Sequence, residues 1–183
     1  MIKRIYRSIP FKKYFFVLLK FLWIPPETIY KHLHFVGIIK VYIDKTLFFK
    51  MKHYGYQIEN EIFWRGLLGG WEKVSIGLWL KLCKNSNVII DIGANTGVYA
   101  LTAKTINPKA KVFAFEPAKR VFLKLQKNIQ INNYNIIAIE KAVSNADGFA
   151  KIFDTISEHT TSVTVNQNLS PVGTKVIETK IEI

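Results

Sequence analysis

The stretch Val88-Ile-Ile-Asp-Ile-Gly-Ala-Asn-Thr-Gly97 constrains this chain more than any other. A short run of branched apolar residues ends in an acid and passes at once into a turn bounded by glycines. Val98–Ile106, stopped by Asn107-Pro108, then reads as a helix. So short and apolar a run suits a strand buried on both faces of a parallel sheet. The alternation continues. Lys111–Phe115 reads as a second strand closed by Glu116-Pro117, and 118–131 as a helix with Val121, Phe122, Leu125 and Ile129 on one side. Ile136–Ile139 reads as a third strand. This order predicts an α/β fold whose parallel sheet has right-handed crossovers and helical cover.

Outside that unit the pattern changes. Residues 72–84 carry Val74, Leu78, Trp79 and Leu82 near helical spacing. After Ala142, residues 149–154 alternate as a strand, and 160–164 and 172–183 read as further extended pieces. No helix is legible beyond Asn132. The expected sheet is therefore incomplete and parallel, with antiparallel additions.

A length of 183 residues suffices for a sizeable core but not for two full domains plus a linker. Apolar residues at 49% argue against disorder throughout. Cys83 is the single cysteine, so no internal disulfide and no thiolate metal cluster can form. His32, His34 and His53 lack metal-ligand spacing, and no metal is expected. The single thiol fits a reducing, cytoplasmic setting.

The net charge of +13 is concentrated upstream: residues 1–84 hold 15 basic and 5 acidic side chains, and the first twenty hold six basic and none acidic. Residues 1–65 read as a basic, aromatic-rich N-terminal segment, and 66–183 as a partial cofactor-binding domain. Tyr14–Ile24 is an apolar run of eleven residues broken by Lys20 and halted by Pro25-Pro26. A bilayer span needs about twenty such residues, and the small-residue site of a signal peptide is missing. What remains is a basic helix within 11–24. Two readings stay open for it. Its apolar side packs on protein, or it lies on the cytoplasmic face of an anionic membrane with lysines in the headgroups and Phe15, Leu18, Leu19 and Leu22 in the boundary. Residues 28–49 read as a helix, and 54–63 as short strands or irregular chain.

The bend itself carries the chemistry. Glycines let backbone approach a ligand closely, and a helix start offers amides to an anionic group. Glu116 lies nineteen residues after Gly97, at the carboxyl end of the second strand, where a carboxylate can accept from both hydroxyls of a ribose. Together these residues suit a nucleoside-containing cofactor. The spacing fails the dinucleotide pattern, because Asn95 stands where a second glycine is needed, and no Gly-Lys-Ser or Gly-Lys-Thr phosphate loop follows. The plainer reading makes Asp91 a turn or helix cap and Glu116 an exposed strand-end acid.

A glycine loop preceded by an acid at the strand end resembles motif one of class I methyltransferases that use S-adenosylmethionine. That cofactor has no phosphate, and its sulfonium and ammonium favour an acidic bend. With Gly70-Trp-Glu72, Phe113-Ala-Phe-Glu-Pro117 and Lys141-Ala-Val-Ser-Asn-Ala-Asp-Gly148, the stretch from about Glu61 onward is similar to the FkbM family. The resemblance implies a Rossmann-like core and O-methyl transfer to a hydroxyl of a sugar or small metabolite. It implies that Asp91 lies near the cofactor's amino-acid end, with Gly93, Ala94, Asn95, Thr96 and Gly97 wrapping that end and Glu116 on the ribose. Ala142 would sit near the adenine side, and Glu72 would border the cofactor from the preceding helix. Family members continue into a Leu-Asp pair and an Asp–x–Glu-Gly motif; the sequence stops at Ile183, so a truncated acceptor side is expected. No role passes to Ser162 or Asn166, and no catalytic base is assigned, His159 being the best residue type in the second half.

The basic charge raises a nucleic-acid substrate as a rival, since lysines and arginines capture phosphates. Base-amine methylation, however, uses an Asp/Asn-Pro-Pro-aromatic motif, and the one Pro-Pro pair, Pro25-Pro26, precedes Glu27 far upstream. A second rival is a non-catalytic or degraded fragment keeping part of the cofactor site, and a third is a peripheral membrane or interaction protein.

Overall fold

The computed structural model describes residues 11–70, 72–155 and 176–182. The chain divides into two compact units, Met1–Lys73 and Val74–Ile183.

In the first unit, α1 (Lys12–Leu22) ends where Trp23 turns extended ahead of Ile24-Pro25-Pro26; proline disfavours helical backbone at the residue before it and brings no amide to continue the helix. A single turn, α2 (Glu27–Tyr30), follows. Residues 28–49, expected to be helical, instead supply most of an antiparallel hairpin of β1 (Gly37–Tyr42) and β2 (Phe48–His53). Period-2 burial decides the matter. Ile39 and Val41 are buried and face Met51 and Phe49 across the ladder, while Ile38, Lys40 and Tyr42 are exposed. Asp44 sets the turn, its Oδ1 accepting from the amides of Thr46 and Leu47 at 2.8 and 2.7 Å.

Residues 54–63, read from the sequence as short strands or irregular chain, instead mostly form α3 (Gln57–Arg65). The start signal is Glu59, whose Oε2 accepts from the Tyr54 and Tyr56 amides at 2.8 and 3.3 Å. That is the backward reach of a capping box from an atypical cap residue. One face of α3 buries Asn60, Phe63 and Trp64. Phe16 meets Trp64 and Phe35 at ring-centroid distances of 5.8 and 6.1 Å, and Phe35 meets Phe63 edge-on at 4.8 Å. This aromatic cluster gives the unit a core of its own. His53 is fully buried against Phe35, its Nδ1 accepting from the Gly55 amide at 3.0 Å, and burial pushes its pKa down to about 4.

The side of α1 that meets this core carries Lys20. Its Nζ donates to the Phe63 carbonyl and lies over the Phe63 ring, and burial lowers its pKa. Leu19 is half-buried beside it. Of the two open readings, the membrane one puts the lysines in the headgroups and Leu19 in the boundary; Lys20 and Leu19 instead lie on the side that packs on protein.

The second unit is built on α4 (Lys73–Cys83), β3 (Val88–Ile92), α5 (Val98–Ile106), β4 (Lys111–Phe115), α6 (Lys119–Asn132) and β5 (Ile136–Ile139). The three strands form one parallel sheet in the order β3-β4-β5, with Asp91 beside Ala114 and Ile92 beside Phe115. This is a β-α-β-α-β unit of a Rossmann-like α/β sheet. Ile89, Val112, Ala114 and Ile136 are buried together with Leu101 of α5 and Val121 and Leu125 of α6. The expectation that β3 is buried on both faces fails. Val88, Ile90 and Ile92 are 55%, 54% and 62% exposed, so the other face lies open.

The last two strands, β6 (Phe149–Thr155) and β7 (Val176–Glu182), pair antiparallel in a ladder of their own instead of extending the parallel sheet. Ile152 packs on Ala118 and Val121, with Ala142 and Ala150 beside them, which anchors the ladder to α6. Residues 160–164, expected to be extended, lie outside the described residues.

Candidate functional site

Three elements converge at the carboxyl end of the parallel strands: the bend 93–97, the start of α5 and the end of β4. Gly93, Asn95 and Gly97 have φ of 76°, 50° and 99°, all left-handed, so the chain reverses from β3 into α5 within five residues. The bend is stitched to β4 because the amides of Gly93 and Ala94 both donate to the Phe115 carbonyl, at 3.0 and 2.8 Å. A Cβ on Gly97 would lie 2.7 Å from Leu125 Cδ1, so α6 packs where a side chain would stand. A Cβ on Gly93 would meet nothing within 4 Å, which leaves open space over that end of the bend.

The two acids complete the stitching. Glu116 is 7% exposed, so the reading as an exposed strand-end acid does not hold. Its Oε2 accepts from the Asn95 amide at 3.0 Å and its Oε1 from the Ala118 amide at 2.9 Å. One carboxylate thus clamps the bend and the start of α6 together. Asp91, 8% exposed, accepts from the Ala100 amide at 2.9 Å and so caps the first turn of α5 from the preceding strand. Its pKa is pushed up to about 6 by burial, with the nearby Glu116 charge adding to the rise and the Ala100 bond opposing it.

The amides of Gly93, Ala94, Asn95, Gly97 and Ala100 all donate within the protein. The free amides expected at the start of α5 are, at these positions, already used. The bend therefore presents buried acids and not the amide nest that a phosphate needs. Asn95 adds a buried Oδ1 with no donor among the described residues, an acceptor left over at the same place.

The predicted residues of the bend, Asp91, Gly93, Ala94, Asn95, Thr96, Gly97, and Glu116 come together here. Ala142 lies after β5, half-buried, its amide donating to the Glu182 carbonyl at 2.9 Å. Glu72 belongs to the first unit, immediately before α4, and is half-buried. Trp71, His159, Ser162 and Asn166 lie outside the described residues.

Sequence reasoning missed Asn128. It is fully buried, and its Nδ2 donates to the Thr96 carbonyl at 2.7 Å, holding the far side of the bend. Its spacing from Val121 and Leu125 puts a polar residue on the apolar stripe of α6, and that is the signal that marks it. Trp79 was likewise read only as a packing residue; its Nε1 donates to the Tyr99 carbonyl at 3.0 Å, tying α4 to the start of α5.

No family model matches the chain. Among curated proteins it is 36% identical over 62 residues to methyltransferase sdnD of Sordaria araneosa, a match covering 33% of this chain and 24% of that protein. The chain thus spans about a quarter of the curated relative it matches. Among solved structures, the SAM-dependent methyltransferase from Agrobacterium tumefaciens is 14% identical, with a TM-score of 0.39 over 58% of this chain and 33% of that one. A protein-L-isoaspartate O-methyltransferase is 12% identical, with a TM-score of 0.32 over 70% of this chain and 41% of that one.

Proposed function

We propose that the second unit binds S-adenosylmethionine at the bend, as part of an FkbM-type methyltransferase acting on a hydroxyl of a sugar or small metabolite. The observation that carries this reading is the acidic, amide-poor bend. Glu116 and Asp91 are both buried there, with the Gly93, Ala94, Asn95, Gly97 and Ala100 amides already committed to protein acceptors. Such a surface opposes a pyrophosphate and favours a cationic, phosphate-free nucleoside. The open space at Gly93 is where backbone can approach a ligand without interference. Similarity to methyltransferase sdnD agrees with the assignment.

When bound, S-adenosylmethionine supplies a methyl group made electrophilic by the adjoining sulfonium. The chain's own residues bind and orient. Glu116 is the acceptor for ribose hydroxyls, and its bonds to the Asn95 and Ala118 amides keep the carboxylate still, which preorganises the site. Asp91 fixes the first turn of α5 and places negative charge under the bend. Asn95 Oδ1 is an acceptor without a partner among the described residues and suits a donor on the ligand. Ala142 on the adenine side belongs to the same reading.

Thermal shift or calorimetry of the 183-residue chain tests it. S-adenosylmethionine and its demethylated product should raise the melting temperature, while ATP and NAD should not. Stabilisation by ATP or NAD alone would overturn the assignment.

A further inference from the structure

Helix α1 is inside out. Its single buried side chain, Phe16, points into the aromatic core, and Lys12, Lys13 and Lys20 are half-buried on that same side. Lys13 packs its stem against Gly37, and Lys20 is bound to the Phe63 carbonyl. The opposite face is apolar throughout. Phe11, Tyr14, Phe15, Leu18, Phe21 and Leu22 are between 59% and 86% exposed. A helix in contact only with water would turn this face inward and its lysines out. A contiguous exposed apolar face of this kind marks a contact surface.

We propose that this face is a docking surface for an anionic lipid bilayer, into which α1 settles parallel to the membrane plane. Charge selects the occupant. Residues 1–73 hold 13 basic and 5 acidic side chains, Lys3, Arg4 and Arg7 directly precede the helix in sequence, and α1 itself contains no acid. A second copy of so basic a segment would be repelled, whereas an anionic headgroup layer is attracted. The ends of the face agree with an interfacial depth. Tyr14 at one end and Trp23 just past the other are 67% and 51% exposed, the amphipathic rings that favour the headgroup level. The helix lies on the membrane and does not cross it, since among the described residues no helix is long and apolar enough to span one.

Flotation of the 183-residue chain with vesicles of phosphatidylcholine, with and without about one third phosphatidylserine, tests the proposal. Binding is expected to the mixed vesicles, with a blue shift of Trp23 emission, and to weaken steeply with salt. Leu18→Glu and Phe21→Glu should each lower partitioning about tenfold or more and leave the melting temperature unchanged, because both side chains are exposed. Absence of flotation, or flotation indifferent to both variants, would refute the proposal. So would a fall in melting temperature in both variants, which would mean the face is covered within the molecule. A dimer seen by ultracentrifugation, lost in Phe21→Glu and unaccompanied by vesicle binding, would assign the face to a second copy instead.

Discussion

Gly93 and Gly97 sit four residues apart in one bend, both with left-handed backbone, and the structure predicts opposite consequences for adding a methyl group to each. At either position alanine meets the left-handed penalty, about 1–2 kcal/mol. At Gly93 nothing else is added, because no atom lies within 4 Å of the new Cβ. At Gly97 the Cβ falls 2.7 Å from Leu125 Cδ1, and Leu125 is fully buried in α6, with no free direction to retreat. Overpacking of that kind adds about 1–3 kcal/mol. Gly97→Ala should therefore cost about 2–5 kcal/mol in total, roughly thirty- to five-thousandfold in the opening equilibrium of the sheet and its helices. Gly93→Ala should cost about 1–2 kcal/mol, roughly five- to thirtyfold. Hydrogen exchange of peptides covering α5 and α6 reads this locally, which matters in a chain of two units. Ligand binding should rank the other way. The Gly93 methyl enters the open space and should abolish the S-adenosylmethionine thermal shift, whereas Gly97→Ala keeps that space clear and should retain a shift from its lower baseline. Equal exchange costs, or a larger one at Gly93, would refute the packing argument. Normal ligand response in Gly93→Ala would place the cofactor elsewhere.

The two acids and one histidine allow further tests. Glu116→Gln replaces one acceptor oxygen with a donor, so either the Asn95 or the Ala118 amide faces an NH2 group; a loss of about 1–3 kcal/mol is expected, and faster exchange at the start of α6 checks it. Asp91 has its folded pKa raised to about 6, above its usual range, so the group favours the folded state below the unfolded value and loses that contribution as pH rises through about 6. Asp91→Asn keeps an acceptor for Ala100, so stability without ligand at pH 7 should hold or rise while S-adenosylmethionine binds more weakly; a large loss of stability would show that the charge, and not the acceptor, caps α5. His53 has its pKa depressed to about 4 by burial. The first unit should therefore be unaffected by this group above about pH 6.5 and lose stability as pH falls from there toward 4, because the unfolded chain takes up the proton first. An imidazole NMR titration with a midpoint near 6.5 would contradict the buried, neutral assignment.

The parallel unit was legible because its signals are local. Branched apolar runs of four or five residues, glycines where the backbone must turn left-handed, and Asn-Pro or Glu-Pro stops each act within a few residues. The predicted β3, α5, β4 and β5 coincide with the observed elements for that reason. The grouping of Asp91 with the bend and Glu116 was also readable, since parallel neighbours with a helical crossover bring both strand ends to one edge of the sheet. What each acid does there was not. Whether a carboxylate faces a ligand or clamps an amide depends on which backbone donors lie about 3 Å away, and those come from segments distant in sequence.

The N-terminal half shows the other side of that division. An apolar run such as 36–43 fits a buried helix or a strand equally well by composition, and only pairing with 48–53 separates them. The chain's own residues made α1 a short basic helix with an apolar side. Tertiary packing decided which side turned inward: Phe16 fitted between Phe35 and Trp64, and this rotation carried Lys20 onto Phe63 and left the remaining aromatic rings outside. Sequence determines a helix's stripes through its period of 3.6 residues, but the direction a stripe faces is set by the shape of the surface that receives it.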